Sequence, residues 1–459
     1  MIAVETYRGK QVALFGLARS GVAAARALEA GGAEVAAWDD NAASREKAEA
    51  AGVTLAPMDQ LTWAEQAALV LAPGVPLTHP APHPVVEAAK AAGTPILGDI
   101  ELFAQMRAAL PDHQVVAITG TNGKSTTTAL IAHLLVESGR NAVACGNIGA
   151  PILALDPLPA GGAYVVEISS YQIDLTHSLR PELALLLNTT PDHLDRHGSM
   201  SSYVAIKRRL VLEQDQDALA IIGVDDDYGP ETVRMLREAG RPVKTVSAKR
   251  HLADGVSVEN GVLRDSEDES VAIDLAEAPA LQGRHNWQNA AAAYAAARAL
   301  GVSAAQIAAG LRSFPGLAHR AEPVAEIGGV RFINDSKATN AEAAEKALTS
   351  FYDIHWIAGG RAKEGGIASL LPCLGHVKQA YLIGEAEAQF AQTLEGHATY
   401  SRCGTLETAV REAAKNATPG DIVLLSPACA SFDQFSSFEE RGDAFKAAVQ
   451  ALERKGGAA

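Results

Sequence analysis

Cysteine is scarce: Cys145, Cys373, Cys403 and Cys429 are the four in a chain of 459 residues. They lie far apart without CxxC spacing, which suggests neither a disulfide framework nor a zinc cluster and predicts reduced thiols in a cytoplasmic protein. Positive charge is in deficit, with 39 Lys and Arg against 54 Asp and Glu, and the formal net of −15 argues against nucleic acid as a partner. No apolar run is long enough to cross a bilayer. The opening MIAVETYRGKQVALFG carries no leader pattern and predicts a strand running into a glycine turn. Aromatics are few, at 5%, but hydrophobic residues reach 48%, which excludes disorder and fits a globular α/β protein rich in Gly and Ala.

The length is more than one core usually organises, so several domains are expected. Short apolar runs (Val12 to Phe15, Glu34 to Trp38, Leu69 to Ala72) alternate with Ala-rich helical stretches, the pattern of parallel βα units. A second such series begins near Phe103, with a strand over Val115 to Thr119, a helix from Lys124 to about Ser138, and strands over Tyr164 to Glu167 and Leu183 to Leu187. A more irregular part around Gly255 to Leu275 carries a hairpin turn at Asn260-Gly261. After the linker FPGLAHR a third α/β unit opens with a hairpin turned at Gly328-Gly329. The expected division is 1–102, 103–316 and 317–459.

The segment VVAITGTNGKSTTTALIAHLL places Gly120-Thr121-Asn122-Gly123-Lys124-Ser125-Thr126 between an apolar strand and an apolar helix. Successive amides at a helix start cradle phosphate oxygens, Lys124 can reach the terminal phosphates, and the Ser125 hydroxyl can hold Mg²⁺. Ile118 stands where the first glycine of a full Walker A motif would fall. Gly16-Leu17-Ala18-Arg19-Ser20-Gly21, with Asp39 after the next strand, is a GxGxxG variant that serves either a dinucleotide pyrophosphate or a purely structural turn. Glu167 and the run Asn188 to His197 leave two further strands at the edge where ligands gather in open α/β sheets. Glu167 and His193 are therefore Mg²⁺ candidates. Lys207, alone on a helix, reads as a solvated charge.

Together, GTNGKST, EISSYQ, NTTPDHLDRH, HNWQNAAAA, His319-Arg320, NDSKATN and SPACASFDQF resemble the Mur ligases, and among them the D-glutamate-adding branch. The resemblance implies a Rossmann-like N-terminal domain for the UDP substrate, a central P-loop ATPase-like domain and a Rossmann-like C-terminal domain for the amino acid. It also implies a cytoplasmic, ATP-dependent amide ligase, expected to be a monomer, whose substrates are UDP-N-acetylmuramoyl-L-alanine and D-glutamate, with an acyl phosphate between them. Carried over residue by residue, it makes Lys124, His193, Lys207 and Arg320 catalytic, and Ser125, Glu167, His193 and a carbamylated Lys207 ligands of two Mg²⁺. It assigns residues 120–126, Asn147, Asn289, Arg320, Asp335, Lys337 and Thr339 to ATP. Gly16, Ser20, Asp39, Ser169, Gln172, Lys363, Ser431 and Phe438 fall to the other substrates. Arg361, where relatives carry an acid, Asp40-Asn41 and Phe432 depart from the family pattern. A nucleotide-gated scaffold, an NAD-linked dehydrogenase, a ligase for another amino acid and a folylpolyglutamate-type ligase are the competing readings.

Overall fold

The computed structural model describes residues 1–363 and 365–456, so positions 457–459 of the expected third domain lie outside the described residues. The chain divides into two compact units, Met1–Phe314 and Pro315–Ala459, and the division falls inside the segment FPGLAHR.

The first unit contains two sheets. In the smaller one, β1 (Gln11–Phe15), β2 (Glu34–Trp38), β3 (Gln66–Leu71) and β4 (Ile96–Leu97) pair in parallel in the order β2-β1-β3-β4. Alternation along β1 sends Val12 and Leu14 into one core and Ala13 and Phe15 into another. Both faces of the sheet are thus covered, which is why its strands read as almost unbroken apolar runs.

The larger sheet holds β5 (His113–Thr119), β6 (Ala142–Gly146), β7 (Gly162–Glu167), β8 (Leu183–Leu186), β9 (Leu219–Gly223), β10 (Val243–Ser247), β11 (Val256–Glu259), β12 (Val262–Asp265) and β13 (Asp268–Asp274). Their order is β13-β12-β11-β10-β9-β8-β5-β7-β6. The chain leaves β5 first toward β6 and β7 and then crosses to β8 on the other side. That reversal opens a crevice at the carboxyl ends of β5, β7 and β8, where open α/β sheets bind ligands. The segment expected to be irregular is an antiparallel ladder of β11, β12 and β13, turned at Asn260 (φ 51°) and Gly261 (φ 84°). The helix Arg284–Ala299 packs with the helix Lys124–Glu137 over this sheet, and Ala290–Ala297 are buried on every side because alanine lets helix and sheet approach closely. The core of the smaller sheet runs on into that of the larger one, joining Val12 and Leu14 to Val115, Ala117 and Ala184. The expected boundary at 102/103 therefore lies within one packed unit.

The second unit is a six-stranded sheet. β14 (Glu322–Ile327) and β15 (Val330–Asn334) form the expected hairpin at Gly328 and Gly329, followed by β16 (Ile354–Gly359), β17 (Val377–Ile383), β18 (Tyr400–Gly404) and β19 (Ile422–Leu425). The order is β14-β15-β19-β16-β17-β18. Trp356 and Leu424 anchor one face, and Ile357, Phe445 and Val449 the other.

Candidate active site

The glycine turn after β5 is built by close approach. Gly120 has φ 154°, and a Cβ there would come within 3.1 Å of Leu187 Cβ; Gly123 has φ 82°, and a Cβ would stand 2.2 Å from Asn289 Oδ1. Glycine is required at Gly123 on both counts. Asn188, beyond β8, braces the turn: its Oδ1 accepts from Asn122 N at 2.9 Å, and its Nδ2 donates to Asn122 O at 3.2 Å and Gln288 Oε1 at 3.0 Å. Asn289 accepts from Thr127 Oγ1 at 3.2 Å, within reach of the same turn.

Two lysines converge on one carbonyl. Lys124 Nζ donates to Gly120 O and Thr121 O, both at 2.9 Å, and Lys207 Nζ donates to Gly120 O at 2.8 Å. Lys207 is 1% exposed, so the reading of it as a solvated charge is wrong. The helix Met200–Leu212 turns it inward, over the Tyr203 ring at 4.7 Å. Burial, and secondly the Lys124 cation, hold its ammonium pKa well below the ordinary lysine range. Tyr203 shares a hydrogen bond of 3.2 Å with Thr121 Oγ1, and its phenol is pushed up to about 12 by burial.

Glu167 ends β7, in register with Ile118 of β5. It is 2% exposed; Oε1 accepts from Asn147 Nδ2 at 2.8 Å, and Oε2 is buried without a hydrogen-bond partner among the described residues. A buried, half-satisfied carboxylate beside the strand that leads to Ser125 is what a hard cation requires. No three His, Cys, Asp or Glu side chains converge as a metal cluster among the described residues, but Mg²⁺ commonly takes one or two protein oxygens and completes its shell with phosphate and water. Ser125 and Glu167 fit that ion. Asn147, expected near the nucleotide base, is placed against this carboxylate.

His193 is exposed, with φ 52°, 3.4 Å from Asp192 Oδ2 and with its ring 5.1 Å from that of Tyr171. Behind it His197, missed in the sequence, is buried between Tyr171 and Tyr203, and its Nε2 lies 2.9 Å from Ser170 Oγ. Burial, then the nearby cations, lower its pKa to about 4, so it is neutral at pH 7. Ser169 and Gln172 form a capping box at the start of the helix Ser170–Asp174. Gln172 reaches on to Asp99 at 3.4 Å, and burial raises the pKa of that acid. In the smaller sheet, Asp39 Oδ2 accepts from Leu17 N at 2.6 Å and Oδ1 from Asn41 N at 2.8 Å. The carboxylate thus closes the Gly16 turn. Ser20 is half-buried in the first turn of the helix Arg19–Ala30.

The second unit gathers its own set. Asp335 Oδ2 accepts from Ser426 Oγ at 2.8 Å and Oδ1 from Ala321 N at 3.1 Å; burial raises its pKa to about 6 against those bonds and the Arg320 charge. Lys337 Nζ lies 5.5 Å from the Phe438 ring centroid, and Thr339 N donates to Lys337 O. Arg441, 1% exposed, donates from Nε to Ser336 Oγ and from Nη2 to Ser336 O and Cys429 O, tying the Asp335 segment to the stretch of chain that leads to buried Ser431. Arg361 and Ala430 exchange both backbone hydrogen bonds, drawing the loop of exposed Lys363 to that of Ser431. The Arg361 side chain pairs with Glu385 at 3.2 Å. The structure places one subset of the named residues in each unit.

Comparison with known proteins adds a second line of argument. Residues 118–297 match the Mur ligase middle domain, and residues 319–429 the Mur ligase, glutamate ligase domain. A UDP-N-acetylmuramoylalanine–D-glutamate ligase of Phenylobacterium zucineum is 54% identical over 461 residues, covering 98% of each chain. One of the same name from Caulobacter vibrioides is 53% identical over 468 residues, covering 100% of this chain and 99% of the relative. Among solved structures, a UDP-N-acetylmuramate–alanine ligase of Thermotoga maritima superposes with a TM-score of 0.59 at 16% identity over 96% of this chain and 99% of that one. A UDP-N-acetylmuramoyl-L-alanyl-D-glutamate–2,6-diaminopimelate ligase gives 0.57 at 19% identity, over 80% of this chain and 89% of the other. At those identities the structural likeness speaks to the fold.

Proposed function

The chain belongs to the Mur ligase family, and from that premise we propose that it joins D-glutamate to UDP-N-acetylmuramoyl-L-alanine at the expense of ATP, a step of peptidoglycan precursor synthesis. The observation that carries the chemistry is the crevice after β5, β7 and β8, where a phosphate-cradling turn, two lysines and a half-satisfied carboxylate meet. Full-length identity above one half with relatives of that name supports the choice of substrates.

A carboxylate is a poor electrophile. Its oxygen attacks the γ-phosphorus of ATP, the bond to the β-phosphate oxygen breaks, and ADP leaves. The acyl phosphate so formed meets the D-glutamate amine, which attacks the acyl carbon, expels phosphate and gives up a proton. The turn amides and Lys124 would hold the phosphates, with Arg320, Lys337 and Thr339 assigned to the same ATP and Asn289 to its base. This is positioning and charge stabilisation rather than covalent catalysis by the protein. Mg²⁺ held by Ser125 and Glu167 would neutralise charge on the phosphoryl oxygens.

The lowered pKa of Lys207 supports a further assignment: the neutral amine adds to CO₂, loses a proton and becomes a carbamate, whose oxygens would hold a second Mg²⁺ with His193. Residues 1–102 would take the UDP part through Gly16, Ser20 and Asp39. Residues 103–316 would bind ATP and the muramyl end, the latter by Ser169 and Gln172. Residues 317–459 would bind D-glutamate by Lys363, Ser431 and Phe438. We place the enzyme in the cytoplasm as a monomer; among the described residues no helix is long and apolar enough to cross a membrane. ADP release with the UDP substrate and each candidate amino acid tests the reading. Turnover only with D-glutamate is expected, and equal turnover with diaminopimelate or L-lysine would overturn the specificity.

A further inference from the structure

Two loops from different sheets meet beside the crevice. One is Pro73-Gly74-Val75, which follows β3 at its carboxyl end. The other carries His193 and runs through the short helix Leu194–His197. Arg196 joins them: Nη1 donates to Gly74 O at 2.9 Å, and Nη2 to Val75 O at 3.0 Å and Pro73 O at 3.5 Å. Its guanidinium carbon lies 4.7 Å from the Tyr171 ring centroid, and that ring also packs against His193. The loops touch again at Gly198, where a Cβ would stand 2.7 Å from His79 Nε2. A rigid planar fork can serve three successive carbonyls while one face stacks on an aromatic ring. An ammonium cannot do both.

We propose that Arg196 is a positioning residue of the ligation reaction: it ties the placement of His193 to the turn that ends β3, so that substrate seated on the smaller sheet and the reacting centre share one frame. The inference rests on the reading above, in which His193 serves the reaction and the smaller sheet takes the UDP part. His193 already holds a positive φ. Without the fork the loop loses its hydrogen bonds to the turn after β3, though His197 still holds its far end to Ser170 and Tyr203, and a misplacement of about 1 Å at a reacting centre costs on the order of 100-fold in rate.

The experiment compares full-length wild type, Arg196→Lys and Arg196→Ala by ADP release with ATP, UDP-N-acetylmuramoyl-L-alanine and D-glutamate. Both variants should lose about 100-fold in kcat while the KM for ATP stays within about two-fold. Methylguanidinium should restore part of the rate of Arg196→Ala and none of Arg196→Lys, whose own side chain occupies the place of the fork. Amide exchange at Gly74 and Val75 should quicken about tenfold in Arg196→Ala at an unchanged melting temperature. Wild-type kcat in a folded variant, or an equal rise of every KM with a lowered melting temperature, would overturn the proposal, as would unaltered exchange at Gly74 and Val75. If the wild type itself releases no ADP with D-glutamate, the functional reading fails, and the exchange data alone decide the tether.

Discussion

The carbonyl of Gly120 accepts from two lysines, and that crowding sets how each behaves. Lys207 sits within Coulomb reach of the Lys124 cation and is desolvated, both of which favour the neutral amine that a carbamate needs. Lys207→Ala should therefore lose most ligation and recover part of it with a short exogenous carboxylate, measured as phosphate release. Full activity with an unmodified lysine in intact-mass data would contradict the role. Asp335 carries a pH signature of its own. Its folded pKa, about 6, lies above the ordinary 3.8. The neutral acid thus contributes stability that is fully present below about pH 4 and lost as pH rises through 6, by roughly 3 kcal/mol across that window. Asp335→Asn should flatten the pH dependence of unfolding free energy between pH 4 and 6 relative to wild type. A parallel curve for the variant would count against this account.

At the scale of elements, the glycine turn after β5 combines two demands that other turns meet singly. Gly139 also has a positive φ, 88°, but nothing lies within 4 Å of a Cβ there, whereas at Gly123 the Cβ would strike Asn289. Gly139→Ala should cost about 1 kcal/mol, the left-handed backbone penalty alone. Gly123→Ala should cost clearly more in chemical denaturation and weaken ATP binding as well, since the turn must shift. Equal costs would show that the Asn289 contact is soft. These local features were legible in the sequence because glycine pairs, NG turns and apolar strands announce themselves within a few residues. Asn188, Arg196, His197 and Tyr203 were not, because their hydrogen-bond partners lie 27 to 123 positions away along the chain. Lys207 is the sharpest case: only the packing of its helix reveals that the charge is buried, and the motif resemblance supplied what residue type could not. The ladder β11 to β13 looked irregular because its strands are short and set between turn residues, although its NG turn was plain.

On the scale of the whole molecule, the chain is two compact blocks of different make-up, one of two fused sheets and one of a single sheet. Heating or denaturant should resolve two transitions by calorimetry or spectroscopy. Trp356, fully buried with Nε1 donating to Ser426 O at 2.8 Å, belongs to the second block alone. Trp356→Ala should lower that transition by about 3–5 kcal/mol and leave the other in place; a single transition shifted as a whole would show the blocks to be coupled. The break at Phe314/Pro315 also has a meaning in time. Every strand and covering helix of the first block precedes it, so a ribosome finishes that block before the first strand of the second is made, and no pairing in either sheet of the first block waits for sequence still to come. Synthesis from the N-terminus thus lets the larger, largely parallel topology begin to close without competition from the later strands.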